Sequence, residues 1–216
     1  PGDHPGAKYP NWVTCPWPED FLAVLDYQWN EVLIPYWKKA VKFAADHGVK
    51  RIALEMHPGF CVYNPETCLK LRAAVGDMIG ANGVRYNLYL VDGADKAAFE
   101  AKDIVDVIDY LGEAIYYFHA KDTLLNESNI RRNGVLDAKP YTDLKNRSWV
   151  FRTMGYGTDE VTWKKIISRL KVVGYDDSIS IEHEDSLMSP MEGLGKAVKF
   201  LQNIIITEKA GEAWWV

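Results

Sequence analysis

Cysteine and long apolar runs are scarce in this sequence of 216 residues. Its three cysteines, Cys15, Cys61 and Cys68, are odd in number and lack the spacing of a metal motif, which indicates reduced structural thiols. No apolar run approaches the ~18 residues that a membrane span needs. The start of the chain, residues 1–6, has neither the basic nor the apolar region of a signal peptide. We therefore expect a cytoplasmic protein that is not inserted in a membrane.

An excess of positive charge is also missing. The formal net charge is −5 and the isoelectric point is near 5.6, which argues against a nucleic-acid partner because general nucleic-acid binders present a basic face. The sequence has no G-x-G-x-x-G after a strand, no P-loop and no G-x-S-x-G, so dinucleotide, nucleotide and serine-hydrolase functions lose support. The composition, 48% hydrophobic and 25% charged, predicts one globular domain over residues 1–216.

Three short apolar runs end in polar residues. They are residues 51–57 (RIALEMH), 114–122 (AIYYFHAKD) and 178–185 (SISIEHED). An apolar run followed at once by charge is typical of a buried parallel strand that carries its functional groups at its carboxyl end. Taken singly, such a residue is usually a helix cap or a solvated loop residue. Together, Glu55, His119 and Glu182 indicate a divalent-metal site at the mouth of an α/β barrel.

Helical patterns alternate with these strands. They cover residues 18–46, with Pro35 expected to kink or divide the helix, and residues 65–74, 94–111, 158–173 and 190–206; further strand-like runs cover 79–82 and 84–91. Alternation of this kind predicts an α/β fold with a parallel sheet and right-handed crossovers. Residues 1–18 are predicted to be a loop and 207–216 a tail. Residues 121–158 have no regular pattern, and their aromatic and arginine content predicts an ordered loop that covers the site.

Four motifs carry a resemblance to a known family. Residues 53–59 (ALEMHPG), 118–122 (FHAKD), 155–157 (GYG) and 181–185 (IEHED) resemble the sugar phosphate isomerase/epimerase family, which includes ketose 3-epimerases and inosose dehydratase relatives. The resemblance implies a TIM barrel of the xylose isomerase-like type. It also implies Glu55, His119 and Glu182 as metal ligands, with Glu184 a weaker candidate than Glu182. His57 and Lys121 would face the substrate, and Arg152 would bind it from the covering loop.

The chain departs from the family pattern in two ways. The Asp expected as a ligand after the strand at 79–82 is absent, and residues 83–102 look foreign to the family, as in a chimera. Asp92 is the possible substitute, although an Asp before a Gly is commonly a solvated turn residue. Only strands 5 to 8 of an eight-strand barrel of about 250 residues are matched. We expect an incomplete barrel that pairs in a homo-oligomer, or a flavodoxin-like open sheet as the alternative.

The function implied by the resemblance is proton transfer next to the carbonyl of a sugar or sugar phosphate. A divalent ion (Mn, Mg, Co or Zn) would polarise the carbonyl, and Glu55 and Glu182 would act as acid and base. Two alternatives remain open at this point. One is a catalytically inactive, engineered or truncated half-barrel scaffold, and the other is an endonuclease IV-like metal hydrolase, which would carry more His and Asp ligands than this sequence offers.

Overall fold

The computed structural model of the chain describes residues 1–84, 104–209 and 211–215. Its helices are α1 (Asp20–Asp26), α2 (Ile34–Asp46), α3 (Pro65–Val75), α4 (Ile104–Leu111), α5 (Glu127–Asn133), α6 (Glu160–Val172) and α7 (Pro190–Ile204). A π-helical segment, Tyr27–Leu33, joins α1 to α2, and a 3₁₀ turn, Gly112–Ala114, follows α4. The strands are β1 (Ile52–Glu55), β2 (Ile79–Val84), β3 (Ile115–Ala120), β4 (Asp122–Leu125), β5 (Trp149–Arg152) and β6 (Ile179–Ile181).

A parallel sheet of four strands organises the described residues. Its order is β1-β2-β3-β6, and each neighbouring pair is parallel. The predicted α/β fold with a parallel sheet is therefore confirmed. Successive strands lie side by side in chain order, as in a barrel wall. In a flavodoxin-like sheet the strands are also parallel, but their order along the chain reverses at a switch point. The described strands show no such reversal and therefore favour a segment of a barrel over that alternative.

One hydrophobic core joins the sheet to the helices that follow its strands. Apolar side chains from α3, α4, α6 and α7 pack with those of the strands, and its fully buried members include Cys68, Leu71, Ile79, Ala81, Ile108, Phe118, Trp163 and Ile166. Burial raises the pKa of the Cys68 thiol to about 11, against an opposing effect of the nearby Arg72 charge. The thiol is consequently protonated at neutral pH and packs as an apolar group.

Local sequence signals explain where the helices begin. Asn64 and Thr67 form a reciprocal cap at α3: Asn64 Oδ1 accepts from the Thr67 N–H at 2.8 Å, and Thr67 Oγ1 accepts from the Asn64 N–H at 3.1 Å. At α7, Ser189 Oγ accepts from the Glu192 N–H at 3.2 Å. Pro35 lies in the first turn of α2, where the helix type changes from π to α while the chain remains helical.

Residues 121–158 are more regular than predicted. Strands β4 and β5 pair antiparallel, with Asp122 opposite Arg152 and Leu125 opposite Trp149, and α5 lies between them. The expectation of an irregular loop was wrong because two four-residue strands separated by a long connection carry too little periodicity to be recognised. The predicted strand at 84–91, apart from Val84, and the predicted helix over 94–103 lie outside the described residues. No helix in the described part of the chain is long and apolar enough to span a bilayer.

Candidate functional site

Three parallel strands deliver polar side chains to one edge of the sheet. Glu55 is the last residue of β1, His119 is the penultimate residue of β3, and Glu182 directly follows β6. The cleft at this edge has a volume of about 400 Å³, and we call it the charged cleft. Its lining consists of Glu55, His57, Lys121, Tyr141, Leu144, Arg147, Val150, Phe151, Glu182, Glu184 and Ser186. Four of the residues predicted from the sequence, Glu55, His57, Lys121 and Glu182, are thus brought together.

Lys121 holds the two carboxylates that follow β6. Its side chain is only 5% exposed, and its ammonium donates to Glu182 Oε1 and lies 2.6 Å from Glu184 Oε2. Strand alternation predicted that Glu182 and Glu184 point the same way, and both reach the same ammonium. Lys121 also lies 4.4 Å from the ring centroid of Phe151, on β5. The cation is therefore fixed from three directions, with its charge placed between two acidic groups.

His119 supports Glu182 from the neighbouring strand. Its Nδ1 lies 3.0 Å from Glu182 Oε2, and its Nε2 lies 3.2 Å from Asn82 Nδ2. With the proton on Nδ1, the imidazole donates to the carboxylate and accepts from the Asn82 amide. The Asn82 Oδ1 atom is buried and has no hydrogen-bond partner among the described residues. His119 is not among the residues that line the charged cleft; it acts on the cleft through Glu182.

The β4–β5 hairpin and the connection between its strands cover the charged cleft with aromatic and cationic side chains. Tyr141 stacks on Phe151 with ring centroids 5.6 Å apart. The Arg147 guanidinium lies 4.4 Å from the ring centroids of both Tyr141 and Trp149. Arg147 is 1% exposed and donates from Nε to the Trp149 carbonyl at 3.1 Å. Sequence analysis counted Arg147 in the arginine content of the covering loop but assigned it no role in the site, although its place within an aromatic-rich segment was the available signal.

Arg152, predicted to bind substrate, is held by an acidic partner instead of lining the charged cleft. Its Nε donates to Asp185 Oδ2 at 3.1 Å, and the same oxygen accepts from the Thr153 N–H at 2.8 Å. Burial alone would raise the pKa of Asp185, but hydrogen bonds from the Thr153 and Leu187 N–H groups and from Arg152 lower it. The described residues that line the charged cleft do not include Arg152.

Asp122 is a buried carboxylate to which sequence analysis assigned no role. It is fully buried, and its oxygens accept four backbone N–H groups, those of Thr123 at 2.9 Å, Gly155 at 2.9 Å, Gly157 at 3.0 Å and Thr158 at 3.1 Å. These contacts tie the loop after β5 to the start of β4. Asp122 therefore positions the hairpin that covers the charged cleft.

Three of the four predicted metal ligands lie within the described residues. Glu55 and Glu182 line the charged cleft, and His119 contacts Glu182, whereas Asp92 lies outside the described residues. Carboxylate and imidazole donors, with the buried Asn82 Oδ1 beside them, fit the chemistry of a divalent cation. Within residues 1–84, 104–209 and 211–215, no three His, Cys, Asp or Glu side chains stand close enough together to hold an ion.

Comparison with known proteins identifies the family. The family model for the xylose isomerase-like TIM barrel matches residues 4–204, nearly the whole chain. The chain belongs to this family. The suspected resemblance is thereby confirmed at the level of the xylose isomerase-like TIM barrel, and the parallel strands and their order agree with it.

Individual relatives agree with this assignment. The uncharacterized protein YfiH of Bacillus subtilis (strain 168) is 40% identical over 207 residues, which cover 95% of this chain and 63% of YfiH. A xylose isomerase domain protein from Planctomyces limnophilus has a TM-score of 0.51 at 17% identity, covering 90% of this chain and 55% of that one. Protein SMc04130 from Sinorhizobium meliloti 1021 has a TM-score of 0.52 at 18% identity, covering 88% and 59%. The chain thus spans less than two thirds of the length of each.

Proposed function

We propose that this member of the xylose isomerase-like family is a metal-dependent isomerase or epimerase of a sugar or sugar phosphate. The observation that supports this most directly is the presence of two carboxylates, Glu55 and Glu182, in one cleft of about 400 Å³ beside the Lys121 ammonium. Reversible proton transfer at carbon needs one group to remove a proton and one to return it. The two strand ends supply such a pair.

Each residue of the site has its own role in this reaction. One of Glu55 and Glu182 removes the proton from the carbon next to the substrate carbonyl, and the other returns a proton to the neighbouring position or to the opposite face. Lys121 and His57 donate hydrogen bonds to substrate oxygens. Asp122, which holds the covering hairpin, restricts the entry of water. His119 orients Glu182 through its Nδ1.

The proposed cofactor is a divalent cation, Mn, Mg, Co or Zn, which Glu55, His119, Glu182 and Asp92 would hold; as a ligand, His119 would exchange its contact with Glu182 for the ion. When bound, such an ion lowers the energy of the negative charge that develops on the carbonyl oxygen. The proposed partners are a small sugar or sugar phosphate and a second copy of the chain. Neither a nucleic-acid nor a membrane partner is proposed.

Exchange of carbon-bound hydrogen with solvent tests the proton transfer directly, whichever product is formed. The protein is incubated with Mn²⁺ and a panel of ketoses and ketose phosphates in D₂O, and deuterium incorporation next to the carbonyl is followed by NMR. We expect exchange with the wild type and a loss of at least about a hundredfold in Glu182→Gln, the scale of a general base. Glu113→Gln is the matched control, because Glu113 is 91% exposed in its side chain and lies outside the charged cleft.

A second candidate function, a half-barrel without catalytic activity, is favoured by one specific observation. Among the described residues no three potential ligands are close enough together to hold an ion. Calorimetric titration with Mn²⁺ separates the two possibilities. Micromolar binding that disappears in Glu182→Gln supports the enzyme. Failure of a folded sample to bind Mn²⁺, together with no exchange across the panel, leaves the inactive scaffold.

A further inference from the structure

A second compartment adjoins the charged cleft and has a different chemistry. It has a volume of about 310 Å³ and shares His57 and Tyr141 with the charged cleft. The rest of its wall is mostly apolar or aromatic, formed by Trp12, Pro58, Val135, Leu136, Ala138 and Trp149. We call it the apolar compartment. The two cavities therefore adjoin each other at His57 and Tyr141, so an apolar space borders a ligand bound in the charged cleft.

Three polar side chains around the apolar compartment are already engaged within the protein. Asp137 has a side chain that is 1% exposed, and its oxygens accept from the Ser148 N–H at 2.7 Å and from the Lys139 N–H at 3.0 Å. The Trp149 indole N–H donates to the Val135 carbonyl at 2.9 Å. His57 Nδ1 lies 2.6 Å from the Pro58 carbonyl. A ring rich in hydroxyl groups would lose hydrogen bonds to water on entering this space and regain few of them.

An aromatic ring suits the same lining. Aromatic rings gain from burial against apolar side chains and from edge or offset contacts with other rings. Tyr141 is 56% exposed and Leu136 is 56% exposed, so both offer surface that a ligand can cover. The Trp12 indole N–H has no hydrogen-bond partner among the described residues, but it is buried and therefore offers no accessible donor to a hydroxylated ring.

We propose that the substrate is a sugar that carries an aromatic substituent, as in an aryl glycoside. The sugar occupies the charged cleft, and the aromatic ring occupies the apolar compartment. The placement of the sugar rests on the proposed function, whereas the affinity for the ring depends only on the second compartment. In a glycoside the anomeric carbon is no longer a carbonyl, so the carbonyl of the proposed reaction would be a ketone elsewhere on the sugar ring.

Paired ligands test the proposal directly. Dissociation constants are measured by calorimetry for the phenyl and methyl glycosides of glucose, galactose, mannose and xylose. Disaccharides of glucose are measured in the same way, so that a second sugar ring is compared with the phenyl ring. We expect at least one phenyl glycoside to bind about tenfold more tightly than its methyl counterpart, which corresponds to about 1.4 kcal/mol. A disaccharide preferred over the phenyl glycoside, or phenyl and methyl forms that bind equally or not at all, would overturn the proposal.

Two variants test whether the preference for phenyl over methyl glycosides arises in the apolar compartment. Leu136→Asp and Ala138→Asp place a carboxylate at the wall of the apolar compartment, and both residues are exposed, so the fold should tolerate the change. We expect either variant to reduce the phenyl preference to about twofold or less. Leu22→Asp is the matched control, because Leu22 is 55% exposed on α1 and lies outside this compartment. A phenyl preference that survives both variants would place the ring elsewhere and refute the proposal.

The test of the aromatic substituent can fail independently of the test of the proposed isomerase activity. Binding is measured without metal and without turnover, whereas the proposed function is tested by solvent exchange on unsubstituted ketoses. Exchange without any phenyl preference would reject the aromatic substituent and keep the isomerase. A phenyl preference without exchange on any ketose, including the ketone forms of the glycosides that bind, would reject the isomerase and keep the ring site.

Discussion

Replacement of Asp137 by Asn should make the protein less stable at neutral pH and change how its stability depends on acid. Burial of this carboxylate alone would raise its pKa, but the N–H groups of Lys139 and Ser148 and the Lys139 ammonium together lower it from 3.8 to about 2. At 1.36 kcal/mol per pKa unit, this displacement corresponds to about 2 kcal/mol of folding stability. The side chain is 1% exposed, so solvent screening removes little of it.

The pH range of the effect follows from the direction of the shift. A carboxyl group whose pKa is lower in the folded state stabilises the protein above its unfolded-state pKa, here 3.8, and loses that contribution as the pH falls toward about 2. Urea denaturation of wild type and Asp137→Asn at pH 7, 5, 4 and 3 measures it. We expect a difference of about 2 kcal/mol at pH 7 that falls by about half at pH 3. A difference that stays constant from pH 7 to pH 3 would refute this reasoning.

Two further predictions concern the loop that Asp122 holds. Asp122→Asn should destabilise the protein by about 3 kcal/mol, because hydrogen bonds to a charged acceptor are worth roughly 1.5–3 kcal/mol each and an amide NH₂ would face a backbone donor; a loss below about 1 kcal/mol in urea denaturation would contradict this. Gly157→Ala should cost about 2 kcal/mol, since a Cβ there would lie 2.5 Å from the Thr123 carbonyl carbon and oxygen. An unchanged melting temperature for Gly157→Ala would contradict this, because it would show that the loop around Gly157 moves away from β4 at little cost.

Sequence analysis predicted the parts of the site that depend on strand ends. Parallel strands place their carboxyl ends at one edge, so Glu55 and Glu182 could be assigned to one cleft from their positions alone. The two-residue period of a strand likewise predicted that Glu182 and Glu184 point the same way, and both contact Lys121. These inferences needed only local periodicity and a rule of topology.

The remaining features depend on contacts between segments far apart in the sequence. Arg152 is paired with Asp185, 33 positions away, and nothing in the local pattern of either segment distinguishes this pair from a substrate-binding arginine. Asp122 appears in the sequence as another polar residue after a strand, yet it receives N–H groups from residues 155–158. Side chains that bind backbone groups across a loop leave no periodic signal, so the structure was needed to find them.

The two end strands of the described sheet, β1 and β6, make a specific prediction about assembly. Among the described strands each has one neighbour only, and exposed edges of parallel strands favour pairing with another chain. The Glu182 N–H donates to the Ala120 carbonyl at 3.3 Å, so by alternation the Ile181 N–H points away from β3, toward the side of β6 that has no neighbour among the described strands. We propose that β6 of one copy pairs with β1 of a second copy around a two-fold axis, so that two four-strand segments face each other.

Proline at position 181 tests this pairing, because it removes the outward N–H while sparing the hydrogen bonds to β3. Light scattering should give twice the 24.6 kDa chain mass for the wild type and a single chain mass for Ile181→Pro. Ile181→Ala, which loses the same side chain but keeps the N–H, should remain dimeric. A wild type that is monomeric at all concentrations, or an Ile181→Pro variant that is folded and dimeric, would show that these edges do not mediate assembly. Dimerisation would also place the charged clefts of both copies at one mouth, since parallel strands direct their carboxyl ends the same way.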